Sequence, residues 1–263
     1  MTKKSHSFIS YAVSLLVLAF GMTVMAAIRS SLEEQIKESV MSELKDFLVF
    51  AVSQDLRSAT WKTIFAFVLS SGATVIVGVF LAWLIYSYRL AASVLEPLVQ
   101  IMRPIPSIAM IAIGTLIVTA TSSSLAFVVA FLGSLWPFTV AALDEFRRVP
   151  DTLRLSTITL GKPEGVFYRE VLFRTALPGL FNVMRLVAPI TLLLTVTTQY
   201  IYPGLGGLGA LLYERHNGLK YSHVICIIAV MSLLSILFEG GITWIERRIC
   251  RWTVEEKDAY EAN

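Results

Sequence analysis

Six apolar segments, each long enough or nearly long enough to cross a bilayer, dominate this sequence and limit the folds open to it. A transmembrane helix needs roughly 20 mainly apolar residues. The runs that meet or approach this length lie at about residues 8–28, 63–86, 104–120, 124–143, 180–200 and 223–243. Only 16 % of the 263 residues are charged, whereas a soluble domain carries about 25 %. The sequence therefore predicts an all-α integral membrane protein with about six transmembrane helices.

The lysine and arginine residues are distributed unevenly between the two sides of these spans. Of the 22 residues of these two types, fourteen lie on the side that holds both termini, seven on the opposite side, and Arg185 within a span. Because positive charge favours the cytoplasmic side, both termini are expected to be cytoplasmic. The N-terminal apolar run reaches about 20 residues without a small-residue cleavage site, which favours a retained signal-anchor helix.

This pattern predicts three parts of the chain. Residues 1–62 would contain an N-terminal transmembrane helix and an extracytoplasmic amphipathic segment, residues 63–252 the membrane core, and residues 253–263 a cytoplasmic tail. In the extracytoplasmic segment, apolar residues recur at helical spacing, which favours a helix along the membrane surface, with a solvated connector as the alternative. The residues of this apolar stripe are Leu32, Ile36, Val40, Leu44 and Phe47.

Enzyme, metal and nucleic-acid chemistry find little support in the sequence. No GxxxxGK[ST] motif is present to bind ATP, and no histidine lies deep in a span to serve as the base of an intramembrane hydrolase. His216, His223 and Glu214 form the only metal-like cluster, and Gly218 interrupts it, so loop histidines are the favoured interpretation. A net charge of +3 does not indicate a nucleic-acid surface. We therefore expect no catalytic residue, no metal and no cofactor bound by this chain.

Residues 144–179 form the largest polar segment between two predicted spans. A short helix is predicted over 154–160, and Gly161, Lys162 and Pro163 give a strong turn signal. Glu164 suits the first turn of a second helix, and Pro178 with Gly179 is expected to change the chain direction at the membrane. The resulting helix–turn–helix would present a mixed-charge face to a groove on a soluble partner. An ordinary charged loop is the alternative.

Four motifs occur in one order along the chain, and together they indicate a family. They are LEPLVQIMRPIPSIAMIAI at 95–113, TLGKPEGVFYREVLFRTALPG at 159–179, GLGGLGALL at 204–212 and FEGGITWIERRICRW at 238–252. This set resembles the permease subunits of ABC importers, and in particular the subfamily that imports nitrate, sulfonates such as taurine, bicarbonate and pyrimidine precursors of thiamine. The resemblance implies a type I importer-like permease fold whose polar segment is a cytoplasmic coupling helix.

The resemblance also implies partners and a location. Two permease subunits, identical or different, would form a pathway in the bacterial cytoplasmic (inner) membrane, and two ATP-binding subunits holding ATP and Mg would dock on the coupling helices. A periplasmic or lipid-anchored binding protein would deliver a small organic or inorganic anion, such as a sulfonate or nitrate, or a pyrimidine-type metabolite. The alternative is a stand-alone secondary carrier or channel, although no repeat relates residues 1–130 to 131–263.

Two sets of residues are expected to carry this function. The resemblance implies that the ATPase is coupled through Gly161, Lys162, Glu164, Phe167, Tyr168, Arg169 and Arg174, with Phe167 or Tyr168 as the anchor in the ATPase groove. The pathway is expected to be lined by polar and aromatic groups within the spans, namely Ser134, Trp136, Thr139, Thr195, Thr197, Thr198, Gln199 and Tyr200. A hydrogen bond within its own helix is the alternative role for each threonine.

The sequence departs from the family pattern at three places. Leu155, Ser156 and Thr157 stand where the family has Glu-Ala-Ala, and Arg174 stands where it has a proline. Gln199 occupies the position of a frequent glutamate. The first two departures allow a heterodimer with a more typical second permease, and the third would repel an anionic solute less than a carboxylate would.

Overall fold

The computed structural model describes residues 45–102, 104–119 and 124–250, and these residues contain helices but no strand. The chain forms two compact units that meet between Ser53 and Gln54. Within the first unit, residues 45–51 are helical. The predicted span at 8–28, residues 29–44 of the predicted amphipathic segment and the C-terminal tail lie outside the described residues. The account below concerns the second unit.

Eight α-helices make up the described part of the second unit. They are α1 (Gln54–Ser87), α2 (Arg89–Met102), α3 (Met110–Ile117), α4 (Leu125–Arg147), α5 (Asp151–Thr159), α6 (Glu164–Ile201), α7 (Leu208–Asn217) and α8 (Tyr221–Ile249). Among the described residues, α1, α4, α6 and α8 are long and apolar enough to cross a membrane. These helices confirm four predicted spans, although α1 and α6 begin well before the predicted starts near residues 63 and 180.

The predicted span at 104–120 is wrong as a continuous helix. The chain there consists of a 3₁₀ turn at Ser107–Ala109 and the eight residues of α3. Eight residues rise about 12 Å, well short of a hydrocarbon core of about 30 Å. Pro104 and Pro106 separate this element from α2 because proline offers no backbone N–H and disfavours a helical conformation in the residue before it. We refer to α2, the 3₁₀ turn and α3 together as the broken crossing.

Helix α1 packs closely on α4 through a stripe of small and polar residues. Ser70, Thr74, Gly78 and Ala82 lie on this buried stripe. A Cβ atom on Gly78 would lie 2.4 Å from Cδ1 of Phe138, so only glycine permits the observed approach. Small residues let helix backbones come close where lipid provides no hydrophobic driving force.

Helix α6 continues through the predicted change of direction at Pro178 and Gly179, so that prediction is wrong. Both residues lie inside the helix. Gly179 provides the close approach to α4, because a Cβ there would lie 2.1 Å from Oε2 of Glu145. The start of α6 is irregular, with a π-helical turn at Phe167–Val171.

The unit has two distinct ends. The hairpin end consists of α5, the start of α6 and the C-terminus of α1, where the ring of Tyr86 lies 6.3 Å from that of Tyr168. The glycine-loop end consists of residues 202–220 and the N-terminus of α1. Helix α8 is held on α6 by Arg185, whose Nη1 donates to Oε2 of Glu246 at 2.7 Å and to Oγ1 of Thr243 at 3.1 Å.

Candidate functional site

The structure confirms the predicted turn at Gly161, Lys162 and Pro163, and the turn is a Schellman motif. Gly161 has a φ of +70°. Its N–H donates to the Ile158 carbonyl at 2.9 Å, and the N–H of Lys162 donates to the Thr157 carbonyl at 3.2 Å. These bonds satisfy the last carbonyls of α5. Pro163 then stops α5 from continuing, so a compact hairpin of residues 151–171 results.

An ion pair braces the hairpin across its turn. Nε of Arg154 donates to Oε1 of Glu164 at 2.9 Å, and Nη2 contacts the same oxygen. The hydrogen bond to the Glu164 carboxylate raises the pKa of the Arg154 guanidinium, so Arg154 stays charged. Both side chains are about half exposed, so solvent screens the pair and it contributes little to stability.

Of the two residues expected to anchor the ATPase, Phe167 and Tyr168, Phe167 is buried inside its own chain. Its exposed fraction is 1 %. The ring belongs to the apolar core at this end and lies 5.4 Å from the ring of Tyr168, which is half-buried. Phe167 therefore fixes the hairpin to the spanning helices. Helical spacing alone does not reveal which face of such a short segment is covered.

The exposed face of the hairpin combines charge with apolar side chains. Five of the expected coupling residues are exposed, namely Gly161, Lys162, Glu164, Arg169 and Arg174. Three leucine and isoleucine side chains accompany them, because Leu155 is 63 % exposed, Ile158 49 % and Leu160 77 %. Sequence reasoning noted Leu155 as a departure from the family pattern but missed these three as contact residues. The sequence signal that could have identified them is three large apolar residues in a polar segment too short to form its own core.

Most residues expected to line the pathway are buried within the subunit. Ser134, Thr139, Thr195 and Thr198 are all fully buried. Each hydroxyl donates to the carbonyl four residues earlier in its own helix, which for the three threonines is the alternative role that the sequence left open. Ser134 also contacts Oγ1 of Thr74 at 2.8 Å. The remaining expected residues, Trp136, Thr197 and Tyr200, are half-buried.

Gln199 is also buried, and its hydrogen bonds hold the glycine-loop end together. Its Oε1 accepts a hydrogen bond from Oγ1 of Thr63 at 2.8 Å and one from the N–H of Gly209 at 3.3 Å. Oγ1 of Thr63 accepts in turn from the N–H of Leu208 at 2.8 Å. Helix α7 therefore has its first N–H groups capped by side chains of α1 and α6.

The packing of α7 against Gln199 and α6 requires two glycines. Gly207 has a φ of +92°, and a Cβ there would lie 2.4 Å from Oε1 of Gln199. A Cβ on Gly209 would lie 2.1 Å from the backbone carbonyl oxygen of Val196. Helix α7 can therefore rest directly on the backbone of α6 only because these positions lack side chains.

A polar cleft of about 660 Å³ opens at the glycine-loop end. Lys62, Glu214 and the pair of Asp55 with Arg215 lie in its wall, and Nη2 of Arg215 is 3.1 Å from Oδ2 of Asp55. Among the described residues, no cluster of three or more histidine, cysteine, aspartate or glutamate side chains could hold a metal ion. The cleft therefore presents hydrogen-bonding and charged groups, and the described residues around it do not form a metal site.

Comparisons with known proteins match most of this unit. The family model described as binding-protein-dependent transport system inner membrane component matches residues 74–251. The nitrate import permease protein NrtB of Synechocystis sp. is 24 % identical over 174 residues, covering 66 % of this chain and 62 % of that protein. The bicarbonate transport system permease protein CmpB of Synechococcus elongatus is 22 % identical over 176 residues, covering 67 % and 63 %. The chain thus spans less than two thirds of the length of these two relatives.

The fold also matches a solved transporter. A chain from the inward-facing MetNI methionine ABC transporter superposes with a TM-score of 0.66 and 22 % sequence identity, covering 74 % of this chain and 96 % of that chain. At this identity the similarity shows the fold alone. It agrees with the expected permease fold.

Proposed function

Because this chain belongs to the family of binding-protein-dependent transport system inner membrane components, we propose that it is the permease subunit of an ATP-driven importer. In this role it forms part of the membrane pathway for a small solute that a periplasmic or lipid-anchored binding protein delivers. The observation that supports the proposal most strongly is the hairpin. It is rigidly capped and anchored by Phe167 in the core, yet it presents an uncovered face of apolar and charged side chains.

The hairpin face is the proposed docking surface for an ATP-binding subunit. Leu155, Ile158 and Leu160 supply the apolar area, and Lys162 and Arg169 supply charge at its edge. Burial of exposed apolar area drives most protein association. ATP and Mg are held by that partner, and this chain contributes no catalytic residue. The full importer would contain two permease subunits, identical or different, and two ATP-binding subunits.

The proposed substrate is a small anion. The two relatives described above are named for nitrate and bicarbonate import, and a sulfonate or a pyrimidine-type metabolite remains within the same proposal. A neutral amide at Gln199 in place of a carboxylate removes one fixed negative charge from the glycine-loop end, which favours passage of an anion. The hairpin end would face the bacterial cytoplasm together with both termini, in keeping with the lysine and arginine distribution.

Disruption of the hairpin face tests the proposal directly. We expect the Leu155→Asp, Ile158→Asp double variant to lose co-purification with the ATP-binding subunit and ATP-driven uptake of nitrate or bicarbonate, since two buried carboxylates would be left unpaired. Leu219→Asp is the matched control, because Leu219 is 69 % exposed at the opposite end. If the double variant still co-purified with the ATP-binding subunit, the hairpin face would not be the docking surface. Uptake by the wild-type chain without any ATPase would instead support a stand-alone carrier.

A further inference from the structure

The broken crossing runs along α4 from one end of the unit to the other. At the hairpin end, Glu96 of α2 accepts from Nη2 of Arg147, with distances of 2.9 and 2.8 Å to its two oxygens. Val99 is buried in the same cluster as Phe146. At the other end, Gly114 of α3 packs so tightly that a Cβ would lie 2.5 Å from Cγ2 of Val129.

The break therefore lies at the middle depth of the membrane. Helix α4 contains 23 residues, which corresponds to about 34 Å. Helix α2 packs in a cluster with residues 138–149, and α3 packs in a cluster with Leu125 and Val129. Residues 104–109 join α2 to α3. They therefore lie beside the part of α4 between these two contacts, and this part is the centre of α4.

The break is exposed on the surface of this subunit. Pro104, Pro106 and Ala109 are exposed, and Ile108 is 58 % exposed. Irregular backbone at membrane depth is tolerated only where protein covers it or where it borders a water-filled cavity, because hydrocarbon cannot satisfy its polar groups. Lipid is therefore disfavoured as the neighbour of this surface.

Discontinuous helices at mid-membrane are a common way to offer backbone polar groups to a solute. The threonine and serine side chains at comparable depth are buried and engaged by their own helices, so they leave the solute no side-chain contact there. We propose that the break at Pro104–Ile105–Pro106 and Ile108–Ala109 forms a wall of the solute pathway, where its backbone contacts a small, hydrated polar solute. This inference rests on the proposed function and adds the part of the chain that meets the solute.

Cysteine accessibility in the assembled transporter tests this inference. The native cysteines, Cys226 and Cys250, are buried and can be replaced by alanine to give a clean background. Single-cysteine variants Ile108→Cys and Ala109→Cys are compared with Ile76→Cys, which is 72 % exposed on the unbroken helix α1. We expect a charged methanethiosulfonate reagent to modify the two break positions about tenfold faster or more, because hydrocarbon excludes charge. Modification should also block ATP-driven nitrate or bicarbonate uptake.

The outcomes separate the two proposals. If uptake is normal but the break cysteines react no faster than Ile76→Cys, with and without ATP, the break is covered by a second subunit or lipid and the pathway wall is overturned. Rapid modification that leaves uptake unchanged would also overturn it. Absence of ATP-driven uptake by the unmodified wild-type transporter would overturn the proposed function instead.

Discussion

Each end of this membrane unit contains a turn that depends on glycine, but the glycines act in different ways. At the hairpin end, nothing lies within 4 Å of a Cβ placed on Gly161, so glycine serves only to reach a positive φ. At the glycine-loop end, Gly207 and Gly209 are required because Gln199 and the α6 backbone occupy the space of a side chain. The hairpin is thus supported from one side and open on the other, whereas the glycine loop is packed within its own subunit.

The largest expected effect comes from adding one methyl group at each turn. Gly209→Ala places a Cβ against a backbone oxygen and must separate α7 from α6, so we expect a loss of about 3 kcal/mol, the upper end of the usual cost of overpacking. Gly161→Ala should cost about 1–2 kcal/mol, the strain of a left-handed conformation alone. Thermal denaturation of the detergent-solubilised complex measures both. Equal losses of stability at the two positions would show that the difference in packing between the two ends does not affect the free energy of unfolding.

A smaller effect is expected from the acceptor that holds the glycine loop. Gln199→Leu leaves the hydroxyl of Thr63 and the N–H of Gly209 without their acceptor, which should cost about 1–3 kcal/mol. Gln199→Glu keeps an oxygen at the same position and should be less destabilising. Thermal stability of the two variants checks the order. Greater stability of the leucine variant would mean that apolar packing, and not hydrogen bonding, maintains this end.

The smallest effect is expected at the hairpin. Because the Arg154–Glu164 pair is half exposed, a double-mutant cycle with Arg154→Ala and Glu164→Ala should give a small coupling that weakens at high salt. The same thermal denaturation, repeated at two ionic strengths, measures the coupling. A large coupling that does not change with salt would indicate that the hairpin is stabilised from within, like the glycine loop.

The sequence was sufficient where local patterns determine structure. Long apolar runs located four spanning helices, and Gly161 with Pro163 located the hairpin turn. The broken crossing was missed because Pro104 and Pro106 lie within an apolar stretch, where mean hydropathy does not register a missing N–H. The continuation of α6 through Pro178 and Gly179 was also missed, because proline and glycine side by side are typical of a turn.

Long-range contacts also determine features of the candidate site that the sequence does not reveal. Gln199, a predicted pathway residue, accepts a hydrogen bond from Thr63, which lies 136 residues away along the chain. The burial of Phe167, a predicted docking anchor, was not foreseen because periodicity cannot distinguish a face covered by the rest of the protein from one offered to a partner. The exposed triplet at Leu155, Ile158 and Leu160 became recognisable only after the covered face was known.

Helix α6 makes the two ends mechanically dependent on each other. It runs without interruption from Glu164 in the hairpin to Ile201 beside the glycine loop, a total of 38 residues, or about 57 Å. A stiff rod of this length that tilts by one degree about its hairpin end moves its far end by about 1 Å. Gln199 lies near that far end, where glycine is the largest residue that fits. An angular change too small to alter the helix itself is therefore large on the scale of the contacts that keep the glycine loop closed.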